Sequence, residues 1–141
     1  MEMRTANAAD AERLAELATQ LGYPSTADDI RRRLPALTSA AHCLRVADRD
    51  GAVVGWIHAT HVQLLDSDDY VEIKALVVDE NARGARVGEA LVAEVERWAA
   101  GRRCVVMRVR SNVVRERAHR FYERLGYAVF KTQRVFGKQL G

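Results

Sequence analysis

The run from Ile73 to Leu91 constrains the fold more than any other part of the chain. It starts as an apolar strand ending at Val78 and crosses the polar turn Asp79-Glu80-Asn81-Ala82-Arg83-Gly84-Ala85-Arg86. It then enters a helix with Val87, Leu91, Val92, Val95, Trp98 and Ala99 on one face, a period of about 3.6 residues. A strand, a tight basic turn and a helix start together make an anion site, because unpaired backbone N–H groups point outward and the helix dipole is positive there. Gly84 and Gly88 let the backbone approach a phosphate closely. Arg83 and Arg86 add charge and forked donors suited to phosphate oxygens. On these residues alone, an ordinary strand-to-helix connection with solvated arginines is the competing reading.

A chain of 141 residues with 48% apolar residues is expected to form one domain, residues 1–141, around one core. The net charge of +3, from 22 basic and 19 acidic residues, is too small to argue for nucleic acid. Basic residues gather at 83–86, 102–103 and 108–124, which favours local anion binding over a polyanion surface. Cys43 and Cys104 each lie in an apolar run without CxxC spacing, so they read as buried free thiols in a reducing compartment. No apolar run reaches the length of a membrane span, and the N-terminus lacks a signal-peptide pattern. The expected location is the cytoplasm, with neither nucleic acid nor membrane as a partner.

Residues 1–6 read as an edge strand, followed by a helix to about Leu21 capped by Asn7 or Asp10. Ser25 or Thr26 caps a second helix, with Asp28 and Asp29 in its first turn and Ile30, Leu34 and Leu37 inward. Arg31-Arg32-Arg33 reads as a solvated face. Strands follow at 44–47, 52–65 and 70–78, the first two joined by the hairpin turn Asp48-Arg49-Asp50-Gly51, with Gly55 marking a bulge. After the long helix come a strand at 104–109, a helix at 115–125 capped by Gly126, and a closing antiparallel pair at 127–130 and 134–140. Three histidines, His58, His61 and His119, show no metal-ligand spacing, and no metal is expected.

Arg83-Gly84-Ala85-Arg86-Val87-Gly88 resembles the Arg/Gln-x-x-Gly-x-Gly/Ala signature of the GNAT family of N-acetyltransferases. Arg86 departs from it, standing where that family usually has its first glycine. Ala118-His119-Arg120-Phe121-Tyr122-Glu123-Arg124-Leu125-Gly126-Tyr127 resembles the same family's Phe-Tyr-Glu-x-x-Gly-Phe/Tyr signature. The resemblance covers essentially the whole chain. It implies a mixed α/β (α+β) fold, a mostly antiparallel sheet of about six or seven strands flanked by about four helices.

The resemblance also implies a site. Amides of residues 83–88, including those of Ala85 and Val87, would hold the pyrophosphate of acetyl-CoA, and the backbone of Leu76, Val77 and Val78 would pair with its pantetheine arm. Tyr122 would protonate the leaving thiolate. Glu72 would serve as general base, directly or through water, with a pKa raised by its place in the sheet. The competing reading of Glu72 is an ion pair with Lys74 or an arginine; alternation puts Lys74 on the same side of the strand. Seven positions before Tyr122, where the family often has asparagine, stands Arg115; Asn112 or Arg115 would contact the cofactor instead.

The acceptor pocket would draw on Tyr23, Ser25, Trp56, His58, His61 and the acidic loop from Asp66 to Asp69. A narrower similarity, to aminoalkylphosphonate acetyltransferases, covers mainly the cofactor half. The expected activity is acetyl transfer from acetyl-CoA to a small-molecule primary amine in a ternary complex, with a homodimer by family analogy. A protein N-terminus or lysine as acceptor, or a non-catalytic acyl-CoA-binding regulatory module, are the alternatives. A Rossmann domain is disfavoured by length and by the absence of an acidic residue at the expected strand end.

Overall fold

The computed structural model describes residues 1–84, 86–111 and 115–141. Two compact units are present, Met1–Arg110 and Ser111–Gly141. The first holds β1 (Glu2–Thr5), α1 (Ala11–Gln20), α2 (Ala27–Arg33), β2 (His42–Arg49), β3 (Ala52–Val62), β4 (Tyr70–Val78), α3 (Val87–Gly101) and β5 (Met107–Val109). The second holds α4 (Glu116–Arg124).

The five strands form one sheet in sequence order, antiparallel except for the parallel pair β4–β5. The β2–β3 and β3–β4 connections are short, as antiparallel neighbours allow; β1 and β2 are joined through α1 and α2, and the parallel step from β4 to β5 crosses over through α3. Between β2 and β3 the chain turns through Asp50 and Gly51, both at positive φ (53° and 89°), the geometry of a tight hairpin.

Register puts Val46, Trp56 and Val77 side by side on one face of the sheet. Leu14 and Leu17 of α1 pack there with Val46, Val53 and Val77. Gly55, next along β3, faces the other way, toward α3. A Cβ on it would lie 3.0 Å from the Val77 carbonyl oxygen, 3.1 Å from Val87 Cγ1 and 3.2 Å from Leu91 Cδ1. Glycine is therefore what lets the start of α3 close onto the sheet. Val87, Leu91, Val92, Val95 and Ala99 are buried, as their spacing predicts, while Trp98 is half-buried.

Both α1 and α2 begin as their sequences predict. Asn7 forms a capping box with Asp10 on the short turn leading into α1, and Thr26 forms one with Asp29. The arginine run 31–33 is exposed, Arg31 and Arg32 being paired with Asp28 and Asp29 one turn back. Cys43 and Cys104 are buried free thiols. Among the described residues no helix is long and apolar enough to cross a membrane.

The sheet departs from expectation in strand number. Residues 127–141 form no strand, and Val129, Phe130, Val135, Phe136 and Leu140 are exposed. The β-prone residues are there, but a two-stranded ribbon is marginal on its own. The segment 104–109 also begins late, its strand starting only at Met107, because Arg103 and Cys104 complete the C-terminal cap of α3. Cys104 N–H donates to Ala99 O and Arg103 N–H to Ala100 O, with Arg103 at φ 61°.

Candidate active site

Strand β4 carries the central irregularity. His58 pairs with Ala75 and Ala59 with Ile73, so Lys74 is an extra residue without an opposite number. The parallel ladder to β5 runs from Val71 to Ile73 and goes no further. Beyond it, Leu76, Val77 and Val78 pair only with β3, opposite Ile57, Trp56 and Gly55. Among the described residues their other edge is left unpaired, a ready template for an extended ligand.

The turn after β4 is anchored at three points. Asp79 N–H donates to the carbonyl of Val54, itself the bulged residue of β3 opposite Ala47 and Asp48. The buried Asp79 carboxylate accepts from Asn81 N (3.1 Å) and from an Arg13 terminal nitrogen (2.5 Å). Arg13 Nε in turn donates to Val53 O at 2.9 Å. The Asn81 amide first, and Arg13 beside it, hold the Asp79 carboxyl below its ordinary 3.8.

The chain then passes Gly84 at φ 87° and Arg86 at φ 60°, ψ 25°. Arg86 thus takes up the left-handed conformation that a glycine would hold without cost. It is the N-cap of α3, yet its side chain makes no cap bond. The turn therefore presents helix-start amides and two arginines, the chemistry of an anion site. Ala85 and Asn112 lie outside the described residues.

Glu72 is 3% exposed. Arg110 Nε donates to its Oε1 at 2.5 Å, and Lys74 Nζ pairs with Oε2. Burial pushes the carboxyl up, but the two cations more than offset it and hold the group below its ordinary 4.5. The expected upward shift is thus reversed. A buried carboxylate titrates upward only when it lacks partners, and this one has two.

In the second unit, Tyr122 packs edge-on against Phe121 (5.0 Å between centroids) and Tyr127 (5.7 Å). Burial pushes its hydroxyl up to about 12, against a smaller opposing effect of Arg115. It holds its proton at any physiological pH, as a general acid must. Helix α4 closes with Gly126 at φ 92°; Gly126 N–H reaches Glu123 O and Tyr127 N–H reaches Tyr122 O. Arg115 precedes α4 and its carbonyl accepts the His119 amide.

Residues 9–127 match the family model described as Acetyltransferase (GNAT) family. The chain belongs to the GNAT acetyltransferase family. An aminoalkylphosphonate N-acetyltransferase of Salmonella typhimurium is 39% identical over 85 residues, 59% of this chain and 54% of that protein. The match spans about half the length of that curated relative. Among solved structures, a transcriptional regulator from Bacillus halodurans C-125 gives a TM-score of 0.88 at 20% identity, over 97% of this chain and 99% of that one. The aminoglycoside N-acetyltransferase AAC(6')-Iy in complex with CoA gives 0.86 at 20% identity, over 99% and 95%. These two likenesses establish the GNAT fold.

The residues expected around a GNAT acceptor do not all converge. His58 joins a partner that sequence reasoning missed: its Nε2 lies 3.0 Å from His42 Nδ1, and the rings stack. Burial, then His42 and Lys74, push His58 down to about 4, so it is neutral at pH 7. His42 and His58 are diagonal neighbours across β2 and β3, a relation visible only once the register is known.

His61 is engaged elsewhere. Its Nε2 lies 2.5 Å from Asp69 Oδ2, and its Nδ1 accepts from Arg102 Nε at 3.0 Å. The Cys104 thiol completes a compact cluster with them. Since Arg102 donates to Nδ1, Nε2 carries the proton shared with Asp69; a cation there would have to displace it. Tyr23 is exposed, and Trp56 packs on the α1 core with its Nε1 buried and without an acceptor among the described residues.

Proposed function

We propose that this GNAT chain transfers the acetyl group of acetyl-CoA to the primary amine of a small molecule, by direct attack in a ternary complex. The observation that carries the reading is the open edge of β4 at Leu76–Val78, followed, after the short turn Glu80–Ala82, by Gly84 and by Arg86 at the start of α3. That arrangement suits a ligand with an amide-bearing arm and a diphosphate: strand edge for the one, loop and helix amides for the other. Ala85, Val87, Asn112 and Arg115 belong to the same proposed cofactor set.

The chemistry asks for two proton movements around one displacement. The amine nitrogen loses a proton and attacks the thioester carbon, the C–S bond breaks, and the thiolate takes up a proton. Tyr122, protonated throughout the working range, is the proposed donor to sulfur. Glu72, ionised throughout that range, is the proposed acceptor of the amine proton, directly or through water. Alignment of the two substrates supplies much of the rate. The relatives' names, an aminoalkylphosphonate and an aminoglycoside N-acetyltransferase, both point to small amines as acceptors. The reading takes residues 1–141 as one functional domain in the cytoplasm, a homodimer by family analogy.

The test is thiol release from acetyl-CoA with a panel of aminoalkylphosphonates, aminoglycosides, polyamines and lysine peptides. Turnover with a small amine supports the reading. Turnover confined to peptides moves the acceptor to protein, and coenzyme binding without any turnover makes the chain a binding module.

A further inference from the structure

A cavity of about 370 Å³ opens where β1 ends and β2 runs on toward His42. Its size falls in the range of small-molecule sites, about 300–1,000 Å³. It lies well away from the cofactor turn. Trp98 and Arg102, which line it, stand roughly 16 Å and 22 Å along the α3 axis from Val87, at about 1.5 Å per residue.

The lining is chemically one-sided. Leu34 and Leu37, from the turn after α2, and the Trp98 indole give it an apolar wall. Two arginines, Arg45 and Arg102, enter it, and no lining residue carries a carboxylate. Arg102 is held in place from two sides: its guanidinium lies 4.9 Å from the Trp98 ring centroid, and its Nε donates to His61. Its two terminal nitrogens have no acceptor among the described residues. Arg45 meets Glu94 only at 3.5 Å, a long contact for an ion pair, and Glu94 is shared with Arg97 at 2.7 Å. A braced guanidinium with both terminal nitrogens uncommitted is built to receive a planar or tetrahedral oxyanion.

We propose that this cavity is a second, anion-binding site of the protein, taking a small molecule that joins one carboxylate or phosphate group to a compact apolar body. The anion bridges Arg102 and Arg45 and the body lies against Trp98, Leu34 and Leu37. The site does not rest on the acetyl-transfer reading, because its occupancy is measured without turnover.

The test follows the Trp98 indole N–H resonance, assigned with Trp98→Phe, during titration with benzoate and with phenyl phosphate. Benzyl alcohol is the uncharged control. The expected result is a saturable shift with at least one anion, none with the alcohol, and undiminished binding in saturating CoA. A preference for benzoate assigns the site to carboxylates; a preference for phenyl phosphate assigns it to phosphate esters. Arg102→Met and Arg45→Met each weaken binding roughly tenfold or more, the loss of a charge-assisted bond. Ala40→Phe, at an exposed lining position, abolishes binding with both arginines intact. Absence of saturation, equal binding of the alcohol, indifference to all three substitutions, or displacement by CoA overturns the proposal.

Discussion

Arg110 Nε lies 2.5 Å from Oε1 of Glu72, on the carboxylate that Lys74 holds from the other side. The folded state therefore prefers Glu72 ionised, and its pKa falls below the ordinary 4.5. A depressed carboxylate adds stability that is fully present above the unfolded pKa and lost as pH falls through the folded one. Urea unfolding between pH 7 and pH 3 should show this loss below about pH 4.5 in the parent chain. The loss should be smaller in Glu72→Gln, which should also be less stable by about 1–2 kcal/mol at pH 7. The same ionisation leaves no Glu72 step in the neutral part of the kcat/KM profile. A limb near pH 6–7 that vanishes in Glu72→Gln would contradict the assignment.

Tyr122, the proposed acid, makes the opposite demand, since that role needs its proton kept. With the hydroxyl pushed up to about 12, kcat should hold steady to at least pH 10. Tyr122→Phe should lower kcat about 100-fold, the general-acid share, with the KM for acetyl-CoA little changed. Unaltered kcat in that variant would remove the tyrosine from the chemistry.

Arg86 separates backbone from charge in one residue. Its left-handed conformation costs an L-residue about 1–2 kcal/mol, part of which Arg86→Gly recovers. That variant should be more stable by about 0.5–1 kcal/mol yet bind CoA a few-fold more weakly, having lost a cation beside the phosphates. Arg86→Ala keeps the strain and loses the charge, so it should weaken binding with no stabilisation. Differential scanning calorimetry and titration of CoA together distinguish the two effects.

Gly55 is the contact point between β3 and α3. Its substitution by alanine puts a methyl group 3.0 Å from the Val77 carbonyl oxygen and 3.1 Å from Val87 Cγ1. Gly55→Ala should cost about 1–3 kcal/mol in urea unfolding, and α3 must shift to accept it. Weaker CoA binding should accompany the loss, because Val87 opens the helix whose amides are the proposed phosphate donors.

The sequence patterns were most informative where period and punctuation agreed. The limits of β4 at Tyr70 and Val78, the buried stripe of α3, and the caps at Thr26 and Gly126 all follow from local rules. What escaped was relational. The pairing of Glu72 with Lys74 or an arginine was legible, but that the arginine is Arg110, and that His42 meets His58, depends on register between strands, which no local pattern encodes. The extra residue at Lys74 breaks the simple alternation assumed for β4. The segment after Tyr127 has strand-like composition, yet its apolar side chains are exposed and it forms no ladder. Arg86 shows the reverse: standing where the signature usually has glycine, it takes a left-handed conformation that glycine would hold without cost.

The measurement that bears most directly on the account is calorimetric titration of the protein with CoA, alongside Gly84→Val. Gly84 has open space around it but a φ of 87°, so valine disturbs the turn through its backbone alone. Saturable one-to-one binding is expected, with Kd on the order of 10 μM, weakened at least tenfold in Gly84→Val. Heats that never saturate, or equal affinity in the two proteins, would show that the turn from Arg83 to Gly88 does not hold the cofactor.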